Sequence, residues 1–510
     1  MNRFIYLIIW GILGTMLILV PTSAWALNFL PLDLSVEGRI KDLRVEDLNY
    51  DGLKDLLVIY IQGLPPKESR WLSIFWQKSD KSFNSTPDQS WEIAQEATVL
   101  DTGEISTQFP GRELVFLTNQ GVSFCRLRDN QYNPELIPLL SHSVFTAFPE
   151  KNNLPVTNFV QDWNQDGQED IAIMDFGRLV IFLGDGKGNF PERDELKIEI
   201  KPFYLGYDPL DKSNDPTKIA LFTSTYFFPE LNLRDYNGDG HKDLMAIRND
   251  VLYWYAHDKD GKFESSFTKK DFDIQTDEEK REELVNIKMM VEDLNGDGLA
   301  DVLINKQKTR GLTSLYSLVS IFYHRKNTGI SSVPQQIITT EGTASVAMVI
   351  RDLNRDGRQD LILPSFEFGL GAVIRYFFTK KIRVSFLVYL MREDGRYPDK
   401  PDLEKEIRFK IDLSGQSNLA VIDPDGDYNG DGVNDLVFGT SDDELSIFPG
   451  VKDPLKSNRI YEDDPLLRLQ INTLGYLIAS DLGNKGRSDI ILYYPREPKL
   501  WSKIKLLLNR

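Results

Sequence analysis

Short apolar runs recur along the chain, and each one follows a cluster of Asp, Asn and Gly residues. Two examples are Asp170-Ile-Ala-Ile-Met and Asp489-Ile-Ile-Leu, in which apolar residues follow one another without polar alternation. Runs this short, rich in Val, Ile and Leu and bounded by turn residues, predict strands that are buried on both faces. The fold class predicted from this pattern is all-β.

The polar cluster before these runs is a nine-residue loop with the pattern Asp-x-Asn-x-Asp-Gly-x-x-Asp. A glycine at position 6 permits the sharp turn, because it has no Cβ to clash when φ is positive. Oxygen side chains at positions 1, 3 and 5 can therefore curl around one cation. The complete copies begin at Asp47, Asp162, Asp235, Asp293, Asp352 and Asp427.

Calcium is the cation that this donor set favours, because it takes 6–8 oxygen ligands at roughly 2.3–2.6 Å. Positions 1, 3, 5 and 9 offer side-chain oxygens and position 7 offers its backbone carbonyl, so about six structural Ca²⁺ sites are predicted. The predicted metal ligands are Asp47, Asn49, Asp51, Leu53 and Asp55; Asp162, Asn164, Asp166, Gln168 and Asp170; Asp235, Asn237, Asp239, His241 and Asp243; Asp293, Asn295, Asp297, Leu299 and Asp301; Asp352, Asn354, Asp356, Arg358 and Asp360; and Asp427, Asn429, Asp431, Val433 and Asp435.

Two other interpretations of the loop are weaker. An EF-hand needs a bidentate Glu at position 12, where this chain has apolar residues or Ala, such as Val58 and Ala246. Dockerin modules also need helical flanks. A turn that binds no metal is possible for Asp, Asn and Gly alone, but clustered carboxylates repel one another without a cation. Six recurrences therefore favour calcium.

The loops divide the chain into units of similar length. Two degenerate copies, at Asp101 and Asp481, extend the series to eight units about 60 residues long, each with room for about four strands. Units of this kind predict a single β-propeller with eight blades, with seven as the alternative. The last unit has room for only three strands, so the segment 27–32 is predicted to supply the fourth and to close the ring.

These loops and strands resemble the FG-GAP/VCBS repeat family, the propeller class of integrin alpha-chain heads and many secreted bacterial proteins. The resemblance covers residues 27–510 and is weaker at Asp101 and Asp481. It implies a propeller in which the calcium loop joins the first and second strands of a blade. It implies no single activity, and seven blades are the commonest number in the family.

The first 26 residues predict a targeting segment. Arg3 precedes an apolar stretch from Phe4 to Val20, and Ala24-Trp25-Ala26 is an Ala-x-Ala cleavage site. Cleavage after Ala26 predicts an exported protein that is periplasmic, on the cell surface or secreted. An uncleaved N-terminal anchor, with the membrane contacted only through this segment, is the alternative.

Composition narrows the range of partners. The chain has 59 Lys+Arg against 77 Asp+Glu, a formal net charge of −18, and no basic stripe. Nucleic acid is therefore not an expected partner. The single cysteine, Cys125, excludes an intramolecular disulfide framework and is expected to be a buried structural thiol.

Two units are longer than the rest, with predicted insertions near 201–225 and 364–410. Loops on rigid scaffolds carry function disproportionately, so these insertions are candidate binding surfaces. The second is aromatic and basic. Its individual aromatic residues, Tyr376, Phe377 and Phe378, are instead expected to pack in a strand or to cover a sheet edge.

No catalytic or organic-cofactor site is predicted. His241 lies inside a predicted calcium loop, and the other three histidines have no neighbouring nucleophile or metal-ligand spacing. The common catalytic motifs are absent. The favoured function is a non-catalytic binding or scaffold module for a protein or glycan ligand. An extracellular carbohydrate-active enzyme, such as a polysaccharide lyase, is the alternative, because a site assembled from several blades carries no local motif. A membrane-tethered assembly factor is a third possibility if residues 1–26 stay attached.

Overall fold

The structure of this protein is a computed structural model. It describes residues 28–144, 152–175, 177–198, 202–206, 222–226, 229–257, 261–282, 285–310, 314–326, 328–340, 343–345, 348–367, 370–379, 381–410, 422–441, 443–457 and 459–510. The predicted targeting segment, residues 1–26, lies outside these ranges. Among the described residues, no helix has both the length and the apolar character needed to cross a membrane.

Eight antiparallel sheets follow one another along the chain and are numbered here as blades 1 to 8. Strand β1 (Phe29–Ser35) precedes blade 1 and belongs to blade 8. The strands of blades 1 to 4, with the small hairpins β9–β10 and β16–β17, are β2 (Arg39–Glu46), β3 (Asp55–Gln62), β4 (Ser69–Phe75), β5 (Gln89–Glu92), β6 (Ala97–Gly103), β7 (Glu113–Thr118), β8 (Gly121–Cys125), β9 (Leu127–Arg128), β10 (Gln131–Tyr132), β11 (Ile137–Leu140), β12 (Val160–Gln161), β13 (Asp170–Asp175), β14 (Arg178–Leu183), β15 (Glu192–Lys197), β16 (Pro202–Gly206), β17 (Phe222–Tyr226), β18 (Glu230–Arg234), β19 (Asp243–Arg248), β20 (Val251–Tyr255) and β21 (Thr268–Asp271).

Blades 5 to 8 continue the pattern, and three short helices lie between strands. In chain order these elements are α1 (Asp277–Glu282), β22 (Val285–Glu292), β23 (Asp301–Arg310), β24 (Ser314–Phe322), β25 (His324–Arg325), β26 (Gly329–Ile330), β27 (Gln336–Thr340), β28 (Thr343–Ser345), β29 (Val349–Arg351), β30 (Asp360–Glu367), α2 (Leu370–Thr379), β31 (Lys381–Tyr389), β32 (Leu403–Lys410), β33 (Ile422–Asp423), β34 (Leu436–Ser441), β35 (Glu444–Phe448), α3 (Pro454–Ser457), β36 (Leu467–Gln470), β37 (Tyr476–Ser480), β38 (Asp489–Tyr493) and β39 (Lys503–Asn509).

Each blade has the four-stranded order expected of a propeller, with every strand antiparallel to the next. Blade 1 has the order β2-β3-β4-β5, and blade 6 differs only in that two pieces, β28 and β29, both pair with β30 in place of one first strand. The all-β fold and the eight blades predicted from the sequence are thus confirmed.

The hydrophobic core is divided among the interfaces between neighbouring blades. Eight clusters of buried side chains join blades 1 and 2, 2 and 3, and so on around the ring to blades 8 and 1. The second strands are covered on both faces, as in β3, where the first seven residues are all buried. This double burial explains why those strands are continuous apolar runs in the sequence.

The ring is closed by strands from opposite ends of the described chain. β1 pairs with β39 over seven residues, from Phe29 opposite Asn509 to Ser35 opposite Lys503. The order of blade 8 is therefore β1-β39-β38-β37. The predicted closure by the segment 27–32 is confirmed, with the strand beginning and ending slightly later.

The connections define two faces of the ring. The loop face carries the connections between the first and second strands of each blade, where all the predicted calcium loops lie. The distal face carries the connections between the second and third strands, at the other end of the blades. An inner strand of eight residues, such as β2, separates the faces by about 23 Å.

The two predicted insertions differ in the structure. The described parts of the first are β16 and β17, which form a separate two-stranded sheet; the residues between them lie outside the described ranges. The second is narrower than the range 364–410, because β31, β32 and the end of β30 are regular strands of blade 6. Only α2 is added there, on the distal face.

Candidate functional site

The six complete loops adopt one common turn at the loop face. In each of them the Asp at position 1 accepts the backbone N–H of the glycine at position 6, with N···Oδ2 distances of 2.8 to 2.9 Å. Those glycines have φ between 82° and 93°, the left-handed region that glycine reaches without strain. The predicted role of position 6 is therefore seen in all six copies.

The side chains at positions 3 and 5 face the same turn. The Asn at position 3 accepts the N–H of position 5 through Oδ1, at 2.7 to 3.2 Å. The Asp at position 5 accepts the N–H of position 7 through Oδ1, at 2.8 to 2.9 Å. Oxygen atoms from positions 1, 3 and 5 are thereby held around one small loop.

The Asp at position 9 has a second task that sequence reasoning did not assign. Asp301 is fully buried, accepts the N–H of Leu294 through Oδ2 at 3.2 Å, and accepts the N–H of His324 through Oδ1 at 2.7 Å. Every complete loop has the same pair of bonds. We call this carboxylate the clamp, because it ties the loop to the chain just after the third strand.

Burial raises the pKa of the clamp carboxylates, because it disfavours the charged form more than the N–H donors favour it. The pKa of Asp301 is raised to about 7, and the nearby charges of Asp297 and Asp293 contribute to the increase. The clamps Asp55, Asp170 and Asp360 behave alike, with pKa values raised to about 7.

The donor chemistry of the complete loops fits calcium. Within the nine-residue pattern, the side-chain donors are carboxylate and amide oxygens, which suit Ca²⁺ and not the softer metals that select thiolate or imidazole. Among the described residues, no three His, Cys, Asp or Glu side chains form a metal-binding group. Each loop instead combines the carboxylates of positions 1 and 5 with an Asn, while the clamp carboxylate is turned toward backbone N–H groups. In blade 6, Arg358 also pairs with Asp356 at 2.6 Å.

Blade 8 keeps the clamp and the first Asp, Asp481, but loses the side-chain oxygens at positions 3 and 5, whereas blade 2 keeps only a buried carboxylate at the start of its second strand. In blade 8, Asp489 accepts the N–H groups of Leu482 and Asn509, while Lys485 occupies position 5. In blade 2, the buried Glu113 at the start of β7 accepts the N–H of Ile105 at 2.9 Å. The degenerate copies predicted from the sequence are thus built around the same buried carboxylate.

Position 4 of the loop is a feature that the sequence reasoning missed. It has positive φ in all six complete copies, including the non-glycine residues Tyr50, Gln165 and Arg355. The available signal was the glycine at this position in the other three copies, Gly238, Gly296 and Gly430.

The distal face carries a different set of side chains. Its connections between second and third strands expose Leu64 (74%), Phe378 (86%) and Trp501 (37%). Phe377 and Phe378 lie on α2 and are largely exposed, so they do not pack in a strand or cover a sheet edge. A cavity of about 260 Å³ lies at the same end of blades 1 and 8, lined by Arg39, Lys41, Tyr476, Tyr493, Pro495 and Arg496.

The thiol and imidazole groups do not form a catalytic centre of a familiar kind. Burial raises the pKa of the Cys125 thiol to about 12, which keeps it protonated near neutral pH. His142 lies 3.4 Å from the Asp175 carboxylate, and the rings of His241 and His257 pack against each other. Cys125 has the structural environment expected from the sequence.

Comparison with known proteins identifies one repeat. Residues 293–363 match the family described as the FG-GAP-like repeat, from the loop of blade 5 into β30 of blade 6. The chain thus carries an FG-GAP-like repeat, as its resemblance to the family implied. No curated protein matches the chain.

A solved structure is similar over almost the whole length of both chains. Its title describes specific recognition of non-reducing terminal N-acetylglucosamine by an Agrocybe aegerita lectin. The TM-score is 0.42 at 15% identity, with 94% of this chain and 95% of that chain covered. Similarity at this level supports no inference about ligand, and the propeller assignment rests on the strand order described above.

Proposed function

We propose, from the FG-GAP-like repeat at residues 293–363, that this chain is an exported, calcium-stabilised β-propeller that acts as a non-catalytic binding module for a protein or glycan ligand. The observation that carries the calcium part is the recurrence of one oxygen-lined turn in six blades, with the same bonds to backbone N–H groups each time.

Blade 5 illustrates which groups would hold the ion. Asp293, Asn295 and Asp297 offer side-chain oxygens and Leu299 its backbone carbonyl, while Asp301 anchors the turn from below. A bound Ca²⁺ supplies positive charge among carboxylates that otherwise repel one another. Because the ion binds the folded loop and not the unfolded chain, it stabilises the ring by mass action.

The binding function is supported by the distal face. Large apolar side chains such as Phe378 and Leu64 are exposed there, and cations with tyrosines line the cavity between blades 1 and 8. Aromatic residues and Arg are enriched where proteins bind partners. A closed ring holds these groups on rigid supports.

The lyase alternative is less well supported. A lyase in which calcium bridges the substrate needs its cationic side chains close to the calcium loops. Arg39 and Lys41 lie at the distal end of β2, about 23 Å from the loop that follows this strand. Burial and the nearby Asp42 raise the pKa of Tyr493 to about 12, which makes its hydroxyl a poor general base near neutral pH.

Two measurements on the propeller, residues 27–510, test the proposal. The first compares the bound calcium content and the melting temperature in Ca²⁺ and in EGTA, with Asp297→Ala as a variant lacking one ligand. We expect about six ions and a lower melting temperature in EGTA. A chain that binds no calcium and melts identically in both buffers would contradict the calcium part.

The second measurement probes an array of glycans and exported proteins with the calcium-loaded propeller. Retention of a discrete ligand, recovered with unchanged chain length, is expected. The appearance of unsaturated uronate ends, detected by their ultraviolet absorbance, would replace the binding module with a lyase. The mass of the mature N-terminus tests export, since cleavage after Ala26 leaves a chain that starts at Leu27.

A further inference from the structure

The cavity between blades 1 and 8, which we call the junction pocket, lies where the ring closes. Its six lining residues come from the first strand of blade 1 and from β37, β38 and the connection after β38 in blade 8. The N–H of Ile40 donates to the carbonyl of Trp501 at 2.8 Å, so the exposed Trp501 belongs to the chain segment beside this pocket.

The first strand of blade 1 has a β-bulge at the pocket. Arg39 pairs with Ile61 and Ile40 with Tyr60, but the next pair is Asp42 with Ile59. Lys41 is thus the extra residue of the bulge. Arg39 and Lys41 both line the cavity while Ile40 between them is buried, as the alternation of side chains along a strand predicts.

The pocket gathers positive charge in a chain of net negative charge. Arg39 forms an ion pair with Glu68 at 3.9 Å. The pKa of Lys41 is lowered by burial and by the like charge of Arg39, and Glu68 offsets only part of this. Within the described part of the chain, no carboxylate forms an ion pair with Lys41 or Arg496. A bound anion would relieve this repulsion.

Two tyrosines form an aromatic wall beside these cations. Tyr476 and Tyr493 are cross-strand neighbours whose ring centres are 5.4 Å apart, and the guanidinium of Arg496 lies 6.0 Å from the Tyr476 ring. Burial and the negative charge of Asp42 raise the pKa of Tyr493, so its hydroxyl stays protonated and can donate a hydrogen bond. Aromatic surface with a few convergent polar groups is typical of small-molecule sites.

We propose that the junction pocket binds one anionic sugar residue of a glycan, with its carboxylate or sulfate held by Lys41, Arg39 and Arg496 and its ring beside Tyr476 and Tyr493. The cavity of about 260 Å³ is just below the range of about 300–1,000 Å³ typical of drug-sized ligands, so it suits a single ring. Guanidinium groups bind carboxylate and sulfate through paired, charge-assisted hydrogen bonds. This assignment rests on the proposed binding function and names its ligand class.

The test is a calorimetric titration of the calcium-loaded propeller with three matched oligosaccharides: an oligouronate, the same chain with reduced carboxyl groups, and a sulfated chain. The variants are Lys41→Gln and Arg496→Gln, and the control is Lys452→Gln, which removes an exposed lysine in blade 7. Melting curves in Ca²⁺ check that each variant is folded.

We expect at least one anionic oligosaccharide to bind and its neutral counterpart to bind at least about tenfold more weakly. Each pocket variant should weaken the anionic ligand about tenfold, while the control variant binds like the wild type. Affinity should fall as salt rises, because exposed charges are screened. A comparison of the uronate and sulfated chains then identifies the anionic group.

Three outcomes of the titration would overturn the assignment. These are equal binding of the neutral and anionic chains, unchanged affinity in both pocket variants, and no binding of any of the three oligosaccharides. Equal competition by poly-glutamate would also overturn it, because the charge alone would then be recognised and not the sugar. None of these results alters calcium content or the EGTA melting curve, so failure of the pocket and failure of the calcium proposal are distinguishable.

Discussion

The loops of blade 5 and blade 8 share a turn but not a set of ligands. In both loops, the Asp at position 1 accepts the backbone N–H groups of positions 5 and 6. The buried Asp at position 9 accepts the N–H of position 2 and a second N–H from a residue at the end of the third strand or just after it. Blade 8 has Gly483 and Lys485 where blade 5 has Asn295 and Asp297. The turn therefore forms with the groups of positions 1, 6 and 9 alone, and the side-chain oxygens of positions 3 and 5 are the ones that the proposed ion would need in addition.

Lysines take over the neutralising role in blade 8. Lys485 brings an ammonium group to the loop, where it favours the charged form of Asp489 and lies 3.4 Å from the carbonyl of Asn509. Lys81, from blade 1, donates to the carbonyl of Gly483. The closing blade thus has its positive charge built into the chain, whereas the proposed calcium ions would supply it to the complete loops.

Removal of calcium should have the largest effect on stability. It should also loosen the complete loops more than the loop of blade 8. Each occupied site adds about 2.7 kcal/mol when free calcium is 100 times its Kd. In EGTA we expect the melting temperature to fall by at least about 5 °C, and amide exchange at Leu294 to accelerate far more than at Leu482. Hydrogen-exchange mass spectrometry on the two loops checks this, and equal acceleration would remove the distinction.

Loss of the clamp should be the next largest effect and should be the same in both loops. Asp301→Ala or Asp489→Ala leaves at least two buried N–H groups without an acceptor, at about 1–3 kcal/mol each. We expect a loss of about 3–5 kcal/mol for either variant in EGTA, measured as a shift of the urea midpoint. If Asp489→Ala left the urea midpoint unchanged, the clamp would act only through calcium.

Lys485→Asp should turn the closing loop into one that responds to calcium. Without calcium, the new carboxylate faces Asp481 and the bond to the Asn509 carbonyl is lost, so we expect destabilisation of about 1 kcal/mol. Calcium should restore stability and one additional ion should bind. Lys485→Ala serves as the control, because it removes the lysine without adding a ligand; identical responses of the two variants would contradict the prediction.

A single ligand change in a complete loop should have the smallest effect. Asp297→Ala, or Asp239→Ala in blade 4, should reduce the bound calcium by one ion and the stability by about 1 kcal/mol or more in calcium. In EGTA the variant should be close to the wild type. Loss of all the ions after one substitution would contradict this prediction and would mean that the sites are coupled through contacts between neighbouring loops, such as the bond from the N–H of Gln359 to the carbonyl of Leu294.

Much of the fold could be predicted from the sequence because each blade is formed by residues that are close together in the chain. Each loop is followed at once by a doubly buried strand, so repeat length and strand number could be read directly. Closure of the ring by the N-terminal strand could be predicted because the last unit has room for only three strands. The helix α2 could not be foreseen in this way, since Tyr376 and its aromatic neighbours have the composition of a strand.

The candidate site was predictable only in part. Loop positions were visible because the motif recurs, but the bonds made by the clamp depend on residues such as His324, which lies 23 positions after Asp301. No pattern in the sequence indicates the junction pocket. It combines Lys41 with Arg496, residues from opposite ends of the chain that only the closed ring brings together.

The pairing of β1 with β39 also sets an order of events in folding. Blades 1 to 7 are each assembled from consecutive segments, whereas blade 8 needs strands separated by almost the entire described chain. Contacts so distant in sequence form late, because a very long loop must be closed before they add stability. Until the residues of β39 arrive, β1 has no partner and the apolar sides of blades 1 and 7 face water. We therefore expect resistance to proteases to appear only when β1 and β39 have paired.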